Sequence, residues 1–229
     1  MNKTNDFKNK KVLVTGHTGF KGSWLATWLN ILGAKVYGLS SDVPTKPAHY
    51  NLLEDIFLES HFFDISHTDK VCQLIQKIKP DFLFHLAAQP IVLTSYSDPI
   101  KTFRSNTLGT ANILESLRLL KNDCVAVIIT SDKSYDNREL NRGYVEDDPL
   151  GGKDPYSGSK GAAELIIRSY TESFFKINNT NIKIAVGRAG NVIGGGDWAS
   201  YRVIPDCVRS WSKDEEVIIR NPLSTRPWQ

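Results

Sequence analysis

The sequence predicts an α/β fold built on a doubly wound parallel sheet, and three observations predict it. Short β-branched runs alternate with longer helical stretches along nearly the whole chain. Several short runs, such as CVAVIIT at 124–130, are continuously apolar, as parallel strands covered on both faces need to be. Polar and glycine-rich motifs follow residues 15, 39, 63, 86, 130 and 188, the strand ends at which open α/β sheets bind their ligands.

Strands are expected at 12–15, 35–39, 59–63, 82–86, 125–130 and 182–188, with a seventh short run at 217–220. Helices are expected at about 22–32, 67–79, 98–121, 155–176 and 201–212. The last long helix is marked by Asp154-Pro155, a capping residue followed by a proline in the first turn. Residues 1–190 read as one domain, and 191–229 as the start of a second, incomplete lobe.

Composition narrows the function classes. Of 229 residues, 41% are hydrophobic and 23% charged, an ordinary globular balance. The net charge of +3 is scattered and forms no basic stripe, which argues against nucleic-acid binding. Cys72, Cys124 and Cys207 are odd in number and far apart, so they read as reduced thiols. The polar opening MNKTNDFKNKK and the lack of any bilayer-length apolar run point to a cytoplasmic protein with no membrane partner. The histidines at 17, 49, 61, 67 and 85 show no metal-ligand spacing, so no metal is expected.

The first strand runs into Thr15-Gly16-His17-Thr18-Gly19-Phe20-Lys21-Gly22, which opens the first helix. Gly16 permits a tight turn, Gly19 lets the backbone approach a pyrophosphate, and Gly22 lets helix and strand pack closely. Thr18 and Phe20 belong to the same loop and are assigned with it to a dinucleotide site. Three glycines alone would also suit an ordinary turn; their place between an N-terminal strand and a helix is what favours a Rossmann site. The second strand ends Ser40-Ser41-Asp42, with no arginine to grip a 2′-phosphate, which favours NAD over NADP, with Ser40 at the ribose. Asp64, after the third strand, is either an acceptor for an adenine amino group or a helix cap.

Tyr156 and Lys160 stand at i and i+4, on one face of a helix. An ammonium one turn away lowers a phenol's pKa and can bond a ribose, so the pair suits a base beside a cofactor. With the glycine loop and the fifth strand in place, the chain resembles the extended short-chain dehydrogenase/reductase family, whose catalytic pair is this tyrosine and lysine. Ser131-Asp132-Lys133 after the fifth strand narrows the resemblance to the nucleotide-sugar 4,6-dehydratases. In those enzymes Asp-Glu is usual, and Asp-Lys is similar to the CDP-glucose branch. Gly16–Trp24 (GHTGFKGSW), HLAAQP at 85–90, DPLGG at 148–152, RAGNVIGGGDW at 188–198 and RPWQ at 226–229 carry the same resemblance.

The resemblance implies an NAD-dependent lyase converting CDP-glucose to CDP-4-keto-6-deoxyglucose. Tyr156 would take the proton of the sugar 4-hydroxyl with Ser131 orienting it, Lys133 would remove the C5 proton, and Asp132 would protonate the departing C6 hydroxyl. Lys133 would need a lowered pKa, which burial beside Lys160 could supply. The resemblance also places Ala87 at the cofactor and Gln89, Asn191 and Arg226 at the substrate, gives Asn106 a supporting role near the tyrosine, and implies a homodimer through helices 98–121 and 155–176. Leu93 and Val145 depart from the arginines that relatives often carry. Trp24 and Trp28 read as packing residues. Two other readings stay open: an epimerase or reductase on the same scaffold, and a non-catalytic NAD-binding fragment. Because the substrate lobe is short, the chain is expected to bind NAD but turn over substrate poorly or not at all, with Arg226 on a frayed end.

Overall fold

The computed structural model describes residues 6–53, 55–177 and 181–228. Six strands form one sheet: β1 (Lys11–Thr15), β2 (Lys35–Ser40), β3 (Phe57–Phe62), β4 (Phe82–His85), β5 (Cys124–Ile129) and β6 (Ile182–Gly187). Every pairing is parallel and the order is β3-β2-β1-β4-β5-β6. The order reverses between β1 and β4, so the chain leaves their carboxyl ends in opposite directions and opens a crevice there. The expected fold class is the observed one.

Alternation along the strands divides the core in two. Leu13, Leu39, Leu83, Ala126 and Ile128 face α2 (Thr68–Ile78) and α5 (Gly109–Arg118), whose Val71, Ile75, Ile113, Leu114 and Leu117 complete one apolar cluster. Val12, Val14 and Val36 face the other way, onto Ala26 and Leu29 of α1 (Phe20–Ile31). Helix α6 (Pro155–Tyr170) packs beside α5 on the first face, contributing Ile167. Trp24 and Trp28 lie on the outer side of α1, both exposed, so neither is a core residue.

The helix expected at 98–121 is broken into pieces. Helix α3 (Val92–Ser97) stops at Asp98, whose carboxylate caps α4 (Pro99–Phe103) by accepting from the Lys101 amide at 3.0 Å. A π-turn (Arg104–Leu108) then joins α4 to α5. The residues on either side of this turn, Phe103 and Gly109, keep helical dihedrals, so the sequence pattern reads straight through it. Helix α6 likewise ends in a π-turn over Thr171–Lys176.

The expected strand at 217–220 is absent, and Ile218 is 86% exposed. A strand needs a ladder partner, and β6 is the sheet's edge with its one neighbour in β5. Arg220 instead donates to the Tyr201 carbonyl at 3.1 Å, near α7 (Val203–Trp211). Among the described residues no helix is long and apolar enough to cross a membrane.

Candidate functional site

The loop after β1 is shaped by distances that only glycine tolerates. Gly16 has φ +75°, and a Cβ there would lie 2.7 Å from the Ala87 amide nitrogen. A Cβ on Gly22 would lie 2.0 Å from the Gly16 carbonyl oxygen, whereas one on Gly19 would meet only that oxygen at 3.3 Å. Gly16 and Gly22 therefore bring strand and helix together, and Gly19 keeps the outer side of the turn bare. Gly19 is also the N-cap of α1, and no side chain caps that end. Amides in an uncapped first turn are donors for an anion. Phe20 packs below the loop, close to Gly194.

Ser40, expected at the ribose, is 4% exposed and committed elsewhere. Its hydroxyl accepts from the Thr18 amide at 3.3 Å and bonds His17 Nδ1 at 2.9 Å. Both bonds lie inside the loop, so Ser40 helps to shape it. Thr18 donates its hydroxyl to the Asp42 carbonyl at 2.6 Å, which fixes Asp42 at the end of β2 with its side chain exposed. Asp64 accepts from the Ser66 amide at 2.8 Å, closing a turn, while the N-cap of α2 is His67.

Ala87 sits where β4 leaves the sheet, its amide donating to Thr15 Oγ1 at 3.2 Å. Beneath it lies His85, fully inside the protein. Thr110 donates its hydroxyl to the Asn106 carbonyl at 2.7 Å and so accepts from His85 Nε2 at 3.1 Å. Nδ1 is then the acceptor for the Thr15 hydroxyl at 2.7 Å, a tautomer assigned from the bonding pattern. Burial pushes the His85 imidazole down to about 3, with the Lys160 charge adding to the effect, so this ring stays neutral.

Across the crevice, β5 ends in a single 3₁₀ turn, Asp132–Ser134, capped by Ser131, which accepts from the Lys133 amide at 3.1 Å. Ser131 donates to Asp132 Oδ1 at 2.9 Å. Tyr156 and Lys160 come to this turn from the first turns of α6, 9% and 7% exposed. The fold thus brings together the five residues expected to do chemistry. Their electrostatics differ from expectation in two ways. Burial raises the Tyr156 pKa and the charge of Asp132 adds to this, while a hydrogen bond with Ser131 and the charge of Arg202 work to lower it. Lys160 itself is lowered to about 8, first by burial and then by the positive charge of Lys21. Lys133 is half-buried, and the lysine charge felt by Lys160 comes from Lys21 of α1. Lys21 and Arg202 were missed in the sequence, where one looks like a loop charge and the other like a residue before α7. Lys21, although exposed, is lowered by loss of hydration and by Arg202, and is held up by Asp197 and Asp132.

The expected substrate residues are placed less evenly. Gln89 uses its side chain internally, donating to Thr102 Oγ1 at 2.9 Å and accepting from the Ile91 amide at 2.6 Å. It therefore braces the loop after β4. Asn191 pairs its backbone with the chain's last residues, its amide donating to the Pro227 carbonyl at 3.1 Å in a bridge to Trp228. Arg226 directly precedes this bridge and is exposed, its guanidinium donating to the Thr225 carbonyl at 3.3 Å. Gln229 lies outside the described residues. Leu93 and Val145 are both exposed. The 194–196 loop is fastened to α1: Trp24 Nε1 donates to the Gly195 carbonyl at 2.8 Å and its indole stacks on His49 at 4.3 Å. Among the described residues no three His, Cys, Asp or Glu side chains gather as a metal site would.

A family model described as GDP-mannose 4,6 dehydratase matches residues 13–219. The chain is 50% identical to a CDP-glucose 4,6-dehydratase of Salmonella typhimurium, over 98% of this chain and 64% of that protein. It is 31% identical to a CDP-paratose 2-epimerase of Salmonella typhi, over 83% of this chain and 60% of that protein. Among solved structures it is similar to the epimerase Mth375 of Methanothermobacter thermautotrophicus, with TM-score 0.84 and 26% identity over 100% of this chain and 66% of that one. The chain spans less than two thirds of the length of these two curated relatives.

Proposed function

The chain belongs to the GDP-mannose 4,6 dehydratase family, and on that premise we propose that it carries the NAD site and the proton-transfer groups of a nucleotide-sugar 4,6-dehydratase acting on CDP-glucose. One observation carries the reading. Ser131, Asp132 and Lys133 share a single turn against buried Tyr156 and Lys160. An epimerase or reductase needs the tyrosine and lysine but has no use for an acid and a base beyond the serine. Half identity to the CDP-glucose enzyme supports the choice of sugar nucleotide.

The residues present fit NAD. The bare Gly19 turn and the uncapped end of α1 suit a pyrophosphate, and exposed Asp42 suits ribose hydroxyls while repelling a 2′-phosphate. When bound, NAD supplies reversible acceptance of a hydride from C4 that is returned at C6. Tyr156 takes the proton of the 4-hydroxyl, with Ser131 bonded to its phenol and Arg202 favouring the phenolate. The new C4 ketone acidifies the C5 proton, which Lys133 removes and later gives back to C5 as C6 is reduced. Asp132, oriented by the Ser131 hydroxyl, delivers a proton to the C6 hydroxyl, which leaves as water. Residues 191–229, Asn191 and Arg226 among them, open the substrate lobe.

The same reading includes a cytoplasmic homodimer, for which Ile100, Phe103 and Leu165 on α4 and α6 provide an exposed apolar face. Incubation with NAD and CDP-glucose, followed by product mass analysis, tests the activity. A product lighter by one water, formed without added reductant, is expected. An isomer of unchanged mass would make the protein an epimerase, and no product would leave it a nucleotide-binding protein.

A further inference from the structure

Glu164 lies one turn beyond Lys160 on α6 and is 6% exposed. Its carboxylate accepts from the Thr130 hydroxyl at 2.5 Å and from Arg188 Nε and Nη2 at 2.9 and 3.0 Å. Each partner borders the site. Thr130 immediately precedes Ser131. Arg188 immediately precedes Ala189, whose carbonyl accepts from the Asp132 amide at 3.1 Å. The Arg188 guanidinium also lies over the Tyr135 ring, 4.7 Å from its centre, and Nη1 donates to the Glu146 carbonyl at 3.0 Å.

A buried ion pair is a poor source of net stability, because desolvation of both charges offsets their attraction. Fixing a register is the better-attested use of such a pair. Here one pair touches the loop 130–135 at its start through Thr130 and at its end through Tyr135, and the chain neighbour of Arg188, Ala189, bonds Asp132 between them. We propose that the Glu164–Arg188 pair is a positioning device, locking the turn that carries Ser131, Asp132 and Lys133 in register with the helix that carries Tyr156 and Lys160. What that turn does rests on the dehydratase reading; how it is held does not.

Charge adds a second, separable effect. Lys160 faces Glu164 on its own helix, Lys21 of α1 and His85 of β4. Glu164 favours the ammonium, while burial and Lys21 oppose it, and neutral His85 contributes no charge. Replacing Glu164 by glutamine therefore removes support for the ammonium. Replacing Thr130 by valine cuts one tie and leaves every charge in place.

The test uses the cofactor-free protein, with amide hydrogen exchange of Asp132 and NMR titration of the Lys160 side chain. In both Glu164→Gln and Thr130→Val the Asp132 amide is expected to exchange about tenfold faster, the loss of roughly one hydrogen bond's support. The Lys160 midpoint, at about 8 in the parent, is expected to fall in Glu164→Gln and to stay in Thr130→Val. Unchanged Asp132 protection in Thr130→Val, or a midpoint that moves alike in both variants, overturns the proposal. Should Glu164→Gln not fold, Thr130→Val still decides through Asp132. Neither measurement contains a sugar nucleotide, so failure of the dehydratase reading would leave both results standing.

Discussion

Asn106 donates from Nδ2 to Ser159 Oγ at 2.9 Å, so a π-turn on one element grips α6 next to Lys160. The same amide accepts from the Gln89 backbone at 2.7 Å and donates to its carbonyl at 3.1 Å. Three parts of the site, the loop after β4, the π-turn and the helix of Tyr156, thus meet at one side chain that is 1% exposed. Asn106→Leu keeps the branched shape but leaves the Gln89 amide and Ser159 without this partner. A loss of about 2 kcal/mol is expected, read from urea unfolding, because unsatisfied buried donors cost more than a made bond contributes. A change below a few tenths would show that water replaces the amide.

Gly19 and Gly22 separate binding from folding. Gly22→Ala forces a Cβ to within 2.0 Å of the Gly16 carbonyl, and backbone has to move. Destabilisation of roughly 1–3 kcal/mol is expected, with loss of NAD binding as well. Gly19→Ala meets only the 3.3 Å contact and should fold almost normally. Its methyl stands where the pyrophosphate approaches, so calorimetry should show NAD affinity falling at least about tenfold. Unimpaired binding in Gly19→Ala would place the phosphates elsewhere.

Stability should depend on pH through a buried lysine and through buried histidines. Burial holds Lys160 at about 8 in the folded protein, below the ordinary lysine value of 10.5, so between those values the unfolded chain holds more protons. Stability therefore rises with pH across that window, by on the order of 3 kcal/mol. Lys160→Met should be more stable than the parent at about pH 7, with the advantage shrinking by about pH 10. The same sign holds lower down. His85 at about 3 and His17 at about 4 are neutral when folded, and both are lowered first by burial. Stability should fall as pH drops below 6.5, where unfolded histidine gains its proton. Unfolding curves that are flat in pH would contradict both assignments.

Tyr156→Phe and Asp132→Asn probe different steps. Tyr156→Phe removes the proton carrier and should abolish turnover while NAD binding is kept, since the ring still fills its buried site. Asp132→Asn keeps the hydrogen bond with Ser131 but cannot deliver a proton. Turnover with CDP-glucose should fall by about 10²–10⁴-fold, again with NAD binding unchanged. Near-parent rates in either variant would remove that residue from the mechanism.

The sequence by itself determined the sheet and the turns that carry the candidate site residues. Continuous apolar strands, the spacing of Gly16, Gly19 and Gly22, and the i, i+4 placement of Tyr156 and Lys160 are local patterns. Local patterns are legible because a strand, a turn or a helix face is fixed by neighbours in the chain. The tertiary structure decided what depends on distant partners. It broke the helix expected at 98–121 with a π-turn that aims Asn106 at Ser159, turned Ser40 and Gln89 inward, and left 217–220 without a strand partner. It also set the charges around the site. Which lysine acts on Lys160, and whether Tyr156 is raised or lowered, depends on burial and on charges from α1 and from the segment before α7. Those segments lie more than a hundred residues apart in sequence and meet only when the chain is folded.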